Sequence, residues 1–161
     1  MLLRSSLSLM LLGCGGPAEP DGTGDSGDTS PVEGAPGPGA FAPDFDTSSD
    51  FFTLMAGPVD GGTVHGTVQI WYSTNLRGLI ESGGAFTAPV GSVAIKVQDN
   101  GVEAITAMIK RPAGFDPDNS DWSYEQRAID GALNNEGALP SCIGCHVGWA
   151  STDYLGGTEL R

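Results

Sequence analysis

Basic residues are scarce in this chain of 161 residues. Seven lysines and arginines stand against 20 aspartates and glutamates, which gives a formal net charge of −13. A nucleic-acid-binding domain needs a basic patch on its surface, so the composition excludes that class. The same acidity would repel anionic lipid head groups, so an electrostatic attachment to a membrane is excluded as well. We interpret the charge as that of a solvated surface.

Long hydrophobic runs are also missing. The apolar run in the N-terminal stretch MLLRSSLSLMLLGCGG is far shorter than the roughly 20 residues that span a bilayer. Arg4, the apolar run and the small residues after it are typical of a secretory signal. Residues 11–14, LLGC, resemble a bacterial lipobox, which implies a signal peptide over residues 1–13 and a lipidated Cys14. We expect an exported protein that faces the periplasm and is held to the membrane only by this lipid. The residue after the lipidated cysteine is Gly15, and it is not the aspartate that retains lipoproteins of enteric bacteria at the inner membrane. This favours the outer membrane.

Cysteines are few. The chain has three, and if Cys14 carries lipid, only Cys142 and Cys145 remain. An exported domain with a single pair has no disulfide framework to stabilise it. The odd number of cysteines is then explained by two separate chemistries, lipidation of Cys14 and a different role for the pair Cys142 and Cys145.

The composition changes after Cys14. Residues 14–46 are rich in Gly, Pro and acidic residues and almost without branched aliphatic side chains, so they cannot bury enough apolar surface to fold. We predict a flexible tether there and a single folded domain over residues 47–161, whose ordered part begins between Phe41 and Phe52.

The apolar pattern of the folded part has a short period. It predicts strands over residues 63–74, 91–101, 102–112 and 121–129, with Asp99-Asn100-Gly101 as the turn of a hairpin. Residues 75–83 read as a short helix, 130–142 as a loop, and the segment from Cys142 onwards as a short helix and tail. The predicted fold class is mainly β (α+β): a small antiparallel sheet with a few short helices and the cysteine motif after the last strand.

The motif CIGCH, residues 142–146, carries the most chemical information. Two thiols at this spacing can each add to a vinyl group of a porphyrin, and His146 can then bind the iron, which describes a haem c site. A thioredoxin-type dithiol would need a βαβ context, and a structural zinc site would need four ligands, with only the distant His65 to complete the set. Haem c fits best, with zinc, a dithiol or chance as the alternatives.

The second axial position of such an iron has no obvious ligand. No methionine follows the motif, and Met108 lies within a predicted strand, where core packing is the usual role. His65 is the other histidine, and we interpret it as a surface or structural residue. A five-coordinate iron, or one with a weakly bound water, is therefore expected, and such an iron can bind small ligands such as NO.

Four segments resemble the cytochrome P460 family, which is related to the β-sheet cytochromes c′. They occur in the family's order and spacing: HGTVQIWYSTN, GSVAIKVQD, MIKRPAGFDPDNSDWSYEQ and CIGCHVGWASTDYL. The last segment contains the Asp153-Tyr154 pair after the CxxCH motif. The resemblance spans roughly residues 50–156. It implies an antiparallel β fold, often a homodimer, with a haem c whose proximal ligand is His146.

The resemblance also implies an activity and further site residues. P460 members oxidise hydroxylamine, and a lysine is covalently linked to their haem; Lys96 is the candidate here, and a solvent-facing lysine paired with a carboxylate is the alternative. A proton acceptor is also needed. Glu136, Asp130 and Glu125 are candidates by position alone, although a surface charge is the simpler interpretation of each. Arg77 is a candidate cap of the pocket or a surface residue, and Phe86, Trp122 and Tyr124 line either the haem or the core.

Three functions are thus open from the sequence. The first is an exported, periplasmic P460-type haem oxidoreductase that acts on hydroxylamine or a related small nitrogen species and passes electrons to a redox partner. The second is a non-catalytic NO- or CO-binding protein of the cytochrome c′ type. The third is a simple electron-transfer cytochrome c with two axial ligands.

Overall fold

A computed structural model describes residues 41–99 and 104–159. The predicted signal peptide, Cys14 and the tether up to residue 40 lie outside the described residues. So do Asn100 and Gly101 of the predicted hairpin turn. None of the helices in the described ranges is long and apolar enough to cross a membrane.

Within the described residues, the domain is built on one antiparallel sheet of seven strands. Their bounds are β1 Phe51–Phe52, β2 Val59–Asp60, β3 Thr67–Ser73, β4 Val93–Gln98, β5 Ile105–Lys110, β6 Trp122–Arg127 and β7 Leu133–Gly137. The order across the sheet is β1-β3-β4-β5-β6-β7, and β2 also pairs with β3. The strands from β3 to β7 therefore form a meander, in which each strand pairs with the next along the chain.

Short helices fill the connections. They are α1 Gly62–His65, α2 Arg77–Ser82 and α3 Pro140–His146, and 3-10 turns cover Thr74–Leu76, Pro117–Asn119 and Val147–Thr152. Pro140 occupies the first turn of α3, where a missing N–H costs nothing. The cysteine motif thus lies on a helix after the last strand, as predicted.

The predicted fold class is confirmed at the level of a small, mainly antiparallel β fold with short helices. The helix at residues 75–83 and the strands in 91–101, 102–112 and 121–129 are all present, with shorter bounds. Two predictions are wrong. Residues 130–142 are not all loop, because β7 pairs with β6 there, and the strand predicted from residue 63 begins only at Thr67, after the turn of helix α1.

Strand alternation gives the sheet two buried faces. We call the side covered by α3 the α3 face. Its buried strand residues are Val68, Ile70, Tyr72, Ala94, Met108, Trp122 and Tyr124. Leu139, Cys142 and Ile143 from α3 and the turn before it pack against this core. Met108 is a core residue, as expected, and Trp122 and Phe86 belong to the same cluster.

We call the other side the Phe45 face. Its buried residues are Phe45, Val93, Ile95, Ile105, Ala107 and Ile109. Phe41 and Phe45 pack against this side although they precede the predicted domain boundary at residue 47. Burial of two aromatic side chains offsets the entropy of ordering the segment that carries them.

Candidate functional site

Helix α3 presents part of the CxxCH motif to the core. Cys142 is half-buried and packs against the α3-face cluster, whereas Cys145 is exposed. His146 follows Cys142 by four residues, and positions i and i+4 are neighbours on a helix surface. The helix therefore directs one thiol and the imidazole toward the same side of the sheet, with the second thiol one turn away.

The ring of His146 is fixed by a backbone carbonyl. Its Nδ1 lies 2.7 Å from the carbonyl oxygen of Tyr154. A carbonyl can only accept a hydrogen bond, so Nδ1 carries the hydrogen and donates, and Nε2 is left with its lone pair. Burial lowers the pKa of His146 below the usual 6.5; the hydrogen bond to Tyr154 raises it in part, and electrostatic interactions with Lys96 and His65 lower it further. The neutral imidazole with a lone pair on Nε2 is the form that binds a metal ion.

The segment that supplies this carbonyl is unusual in its backbone. Asp153 and Tyr154 are consecutive non-glycine residues with positive φ, 53° and 69°. Each such residue costs roughly 1–2 kcal/mol. Asp153 offsets this cost through three buried contacts. Its Oδ2 accepts hydrogen bonds from Lys110 Nζ at 2.7 Å and from the N–H of Ala88 at 2.9 Å, and its carbonyl accepts one from Trp122 Nε1 at 2.7 Å.

Tyr124 lies edge-on to His146 and has a hydroxyl without a partner. The ring centroids are 5.6 Å apart with an interplanar angle of 64°. The hydroxyl is buried and makes no hydrogen bond within residues 41–99 and 104–159. Burial raises the pKa of Tyr124, so the phenol stays neutral. An unpaired buried hydroxyl costs about 1–3 kcal/mol, which a bound group with a hydrogen-bonding atom would recover.

Lys96 lies on the same face of the sheet, where it meets His65. In β4 it lies two residues after Ala94, so its side chain is on the same face as Ala94 of the α3-face core, and it is half-buried. Its Nζ is 2.9 Å from His65 Nδ1 and 3.4 Å from His65 Nε2. His65 Nδ1 is also 3.1 Å from Gln98 Oε1. Lys96 is therefore not simply solvent-facing, and His65, which we interpreted as a surface or structural residue, is its neighbour.

The carboxylates proposed as proton acceptors lie elsewhere. Glu125 and Glu136 are register partners in β6 and β7, and both belong to the Phe45 side of the sheet. Glu125 is 1% exposed and pairs with Arg127 at 2.8 Å, so its interpretation as a surface charge is wrong. Glu136 is exposed, and Asp130 is an exposed turn residue that accepts a hydrogen bond from the N–H of Ala132. The structure brings none of the three to His146 and Lys96.

Arg77 is a surface residue. Its guanidinium forms an exposed ion pair with Glu81 and lies 4.0 Å from the ring centroid of Phe52. The contact of His65 with Lys96 was not predicted from the sequence, because it depends on how β3 and β4 pair. The register of β3 and β4 pairs Val68 with Gln98, which brings the residues just before β3 to the end of β4.

Comparisons with known proteins leave the family open. No family model matches the chain, and no curated protein matches it either. The donor set itself fits a haem c: two thiols at the attachment spacing, one neutral imidazole, and a buried hydroxyl that lacks a partner beside it. Within the described ranges, no group of three or more His, Cys, Asp or Glu side chains is arranged to hold a metal ion. A haem iron needs only one such side chain.

Proposed function

We propose that this protein is an exported c-type haem protein of the cytochrome P460 type, which binds and oxidises hydroxylamine or a related small nitrogen species. Cys142 and Cys145 would attach the haem, and His146 would bind its iron. Bound in this way, the haem supplies a redox-active iron with a position for a small ligand. The chain would be held at the outer membrane, facing the periplasm, by lipid on Cys14, act as a homodimer and pass electrons to a periplasmic redox partner.

One observation carries this proposal. The imidazole of His146 is held through Nδ1 by the carbonyl of Tyr154, with Nε2 left to bind, in a CxxCH motif that packs on the sheet. A donor bond from Nδ1 to a carbonyl is the usual support of a ligating histidine, because it fixes the tautomer and raises the basicity of Nε2.

The position of Lys96 favours the P460 type over the electron carriers. Lys96 lies on the same face of the sheet as Tyr124, whose ring contacts His146, and His65 contacts Lys96. Polar side chains beside a haem serve ligand binding and proton transfer, whereas a simple electron carrier needs a second strong ligand in that space. His65 is the remaining histidine that could serve as that ligand. The ammonium of Lys96 lies 2.9 Å from its Nδ1 and 3.4 Å from its Nε2, so both ring nitrogens face a cation.

An absorption spectrum of the reduced protein, with and without CO, tests the proposal. A Soret band shifted strongly to the red of an ordinary ferrous haem c, together with CO binding, is expected if Lys96 is linked to the haem. An ordinary c-type spectrum that responds to CO would support the NO- or CO-binding alternative. A low-spin spectrum indifferent to CO would support the electron carrier and overturn the open site.

Covalent attachment is tested separately. The double variant Cys142→Ser, Cys145→Ser should lose all haem that withstands denaturing electrophoresis. Lys96→Met is the matched variant, because it leaves both thiols in place. It should keep attached haem but return the Soret band to the ordinary c-type position. Haem that remains attached in the double variant would contradict the assignment of the motif.

A further inference from the structure

Asp153 ties the turn after the CxxCH helix to the sheet. Its carboxylate accepts hydrogen bonds from Lys110, the last residue of β5, and from the N–H of Ala88. Its carbonyl accepts one from Nε1 of Trp122, the first residue of β6. Asp153 is buried, so water does not compete for these contacts. Donors from β5, from β6 and from the segment before β4 therefore converge on a single residue of the turn.

The shape of the turn depends on local hydrogen bonds. The N–H of Tyr154 donates to the carbonyl of Trp149 at 2.8 Å, and the N–H of Leu155 donates to the carbonyl of Thr152 at 3.0 Å. These bonds join residues that are close in sequence, so they curl the chain without setting its distance from the strands. The contacts of Asp153 with β5 and β6 supply that second constraint.

This arrangement is maintained against a cost. Asp153 and Tyr154 both have positive φ, and the Lys110–Asp153 pair takes two charges out of water. Backbone strain persists where the surrounding contacts over-determine it, and it is found most often at functional sites. The group that this strained turn places is the carbonyl of Tyr154, which lies 2.7 Å from His146 Nδ1.

The hydrogen bond from His146 decides how strongly its ring donates electrons through Nε2. A distance of 2.7 Å is at the short end of the range for N–H···O bonds. A hydrogen bond from Nδ1–H to a carbonyl raises the basicity of Nε2, and a short one does so more. A more basic axial ligand favours ferric over ferrous iron, so it lowers the reduction potential and strengthens the iron–nitrogen bond.

We propose that Asp153, held by Lys110, is a positioning residue of the candidate iron site. It acts through the carbonyl of Tyr154 to keep His146 a strong donor ligand and the reduction potential of the attached haem low. The effect passes through the peptide bond between Asp153 and Tyr154 and through the hydrogen bond to Nδ1. This inference rests on the proposed haem site, and it gives a role to a buried ion pair that the proposed function leaves unused.

Asp153→Asn tests the role of the carboxylate with little change in shape. Asparagine keeps an acceptor for the N–H of Ala88 and tolerates a positive φ, but it lacks the charge that pairs with Lys110. In the reduced, haem-loaded variant, we expect the iron–histidine stretching band of the resonance Raman spectrum to shift to lower wavenumber. The reduction potential, measured by spectroelectrochemical titration, should become more positive. Both measurements report on the iron ligand, and neither requires turnover.

Glu125→Gln is the matched control. Glu125 is also buried, pairs with Arg127 at 2.8 Å and is the register partner of Ala107 on the Phe45 face. The substitution therefore makes the same carboxylate-to-amide change in a buried ion pair, on the other side of the sheet from His146. It should lower stability, as Asp153→Asn does, and leave both the stretching band and the reduction potential at their wild-type values.

A second variant keeps the proposal testable if Asp153→Asn takes up no haem. Lys110→Gln leaves Asp153 in place and replaces the ammonium by a neutral donor, so it disturbs the same contact more mildly. It should shift the stretching band and the reduction potential in the same directions.

The outcomes separate the two proposals. A wild-type chain without attached haem would overturn the proposed function and this inference together. Absence of the stretching band from the reduced wild-type protein would mean a six-coordinate iron and overturn the open site, while the potentials would still test the inference. Haem-loaded Asp153→Asn and Lys110→Gln variants with a wild-type band and potential would overturn the inference alone. Equal shifts in Glu125→Gln would overturn it as well, because the effect would then follow from lost stability.

Discussion

Lys110 and Asp153 form a buried ion pair, 2.7 Å long, that ties the end of strand β5 to the segment after the CxxCH helix. Both side chains are less than a tenth exposed. Lys110 Nζ also donates to the carbonyl of Ser120 at 2.6 Å and lies over the ring of Trp122. The pair holds Asp153 in its left-handed conformation, and Asp153 is followed directly by Tyr154, whose carbonyl fixes His146. The sheet thereby controls the orientation of the candidate iron ligand through two contacts, Lys110 with Asp153 and Tyr154 with His146, which the peptide bond between Asp153 and Tyr154 joins.

Removal of the lysine should be costly. Lys110→Met leaves the Asp153 carboxylate buried without its cation, and loss of one partner of a buried ion pair costs about 3–5 kcal/mol. We expect the free energy of unfolding, measured by urea denaturation, to fall by that amount. The Tyr154 carbonyl should also lose its fixed position, so the haem-loaded variant should show a heterogeneous Soret band.

The matched control is the exposed pair of Arg77 and Glu81, which lies on helix α2. Glu81→Gln removes that pair without disturbing the contact of Arg77 with Phe52. An exposed pair of this kind is worth about 0–1 kcal/mol. If Lys110→Met costs no more than Glu81→Gln, the buried pair does not hold the segment.

The sequence predicted the centre of the sheet better than its edge. Strands β4 and β5 have buried side chains on both sides of the sheet. Their apolar residues therefore give a strong β-strand pattern in the sequence. Strand β7 reads LNNEG, is largely exposed and carries one apolar residue, Leu133. It is a strand because β6 offers a free edge for backbone pairing, and no local pattern reports that.

The candidate site was predicted only where its residues are close in sequence. Cys142, Cys145 and His146 follow from their spacing alone. The contact of His65 with Lys96 joins residues 31 positions apart and depends on the register of β3 against β4. Glu125 was wrongly interpreted as a surface charge. Strand alternation places Glu125 and its partner Arg127 on the same face of the sheet, but it does not show that this face is covered by other residues.

The unpartnered hydroxyl of Tyr124 gives a test that distinguishes the haem-free from the haem-loaded protein. In the haem-free double variant Cys142→Ser, Cys145→Ser, Tyr124→Phe removes a buried hydroxyl that makes no hydrogen bond in the described part of the chain. We expect the free energy of unfolding to rise by about 1 kcal/mol. In the haem-loaded protein, a partner on the bound group would make the same substitution destabilising.

Tyr72 is the matched control for this comparison. Its hydroxyl donates to the carbonyl of Gly156 at 3.1 Å, on the same face of the sheet. Tyr72→Phe should therefore cost about 1 kcal/mol with or without haem. An effect of Tyr124→Phe that is the same in both forms would show that the hydroxyl does not face the bound group. Urea denaturation of six proteins gives the comparison: the haem-loaded and the haem-free parent, each alone, with Tyr124→Phe and with Tyr72→Phe.

The lowered pKa of His65 also predicts how stability depends on pH. Because its pKa in the folded protein lies below 6.5, the unfolded chain takes up the proton first as the pH falls. The contribution of neutral His65 is fully present above pH 6.5 and is lost as the pH falls from there toward the folded-state pKa. The free energy of unfolding should therefore decrease between pH 7 and pH 5, and that of the His65→Gln variant should decrease less over that interval.

Other titrating groups do not explain this difference. Lys96, the charge that faces His65 from β4, stays protonated in the unfolded chain throughout, and any effect of His146 is common to both proteins. Urea denaturation at pH 7 and pH 5 measures the two slopes, and equal slopes would mean that His65 is as easily protonated in the folded chain as in the unfolded one.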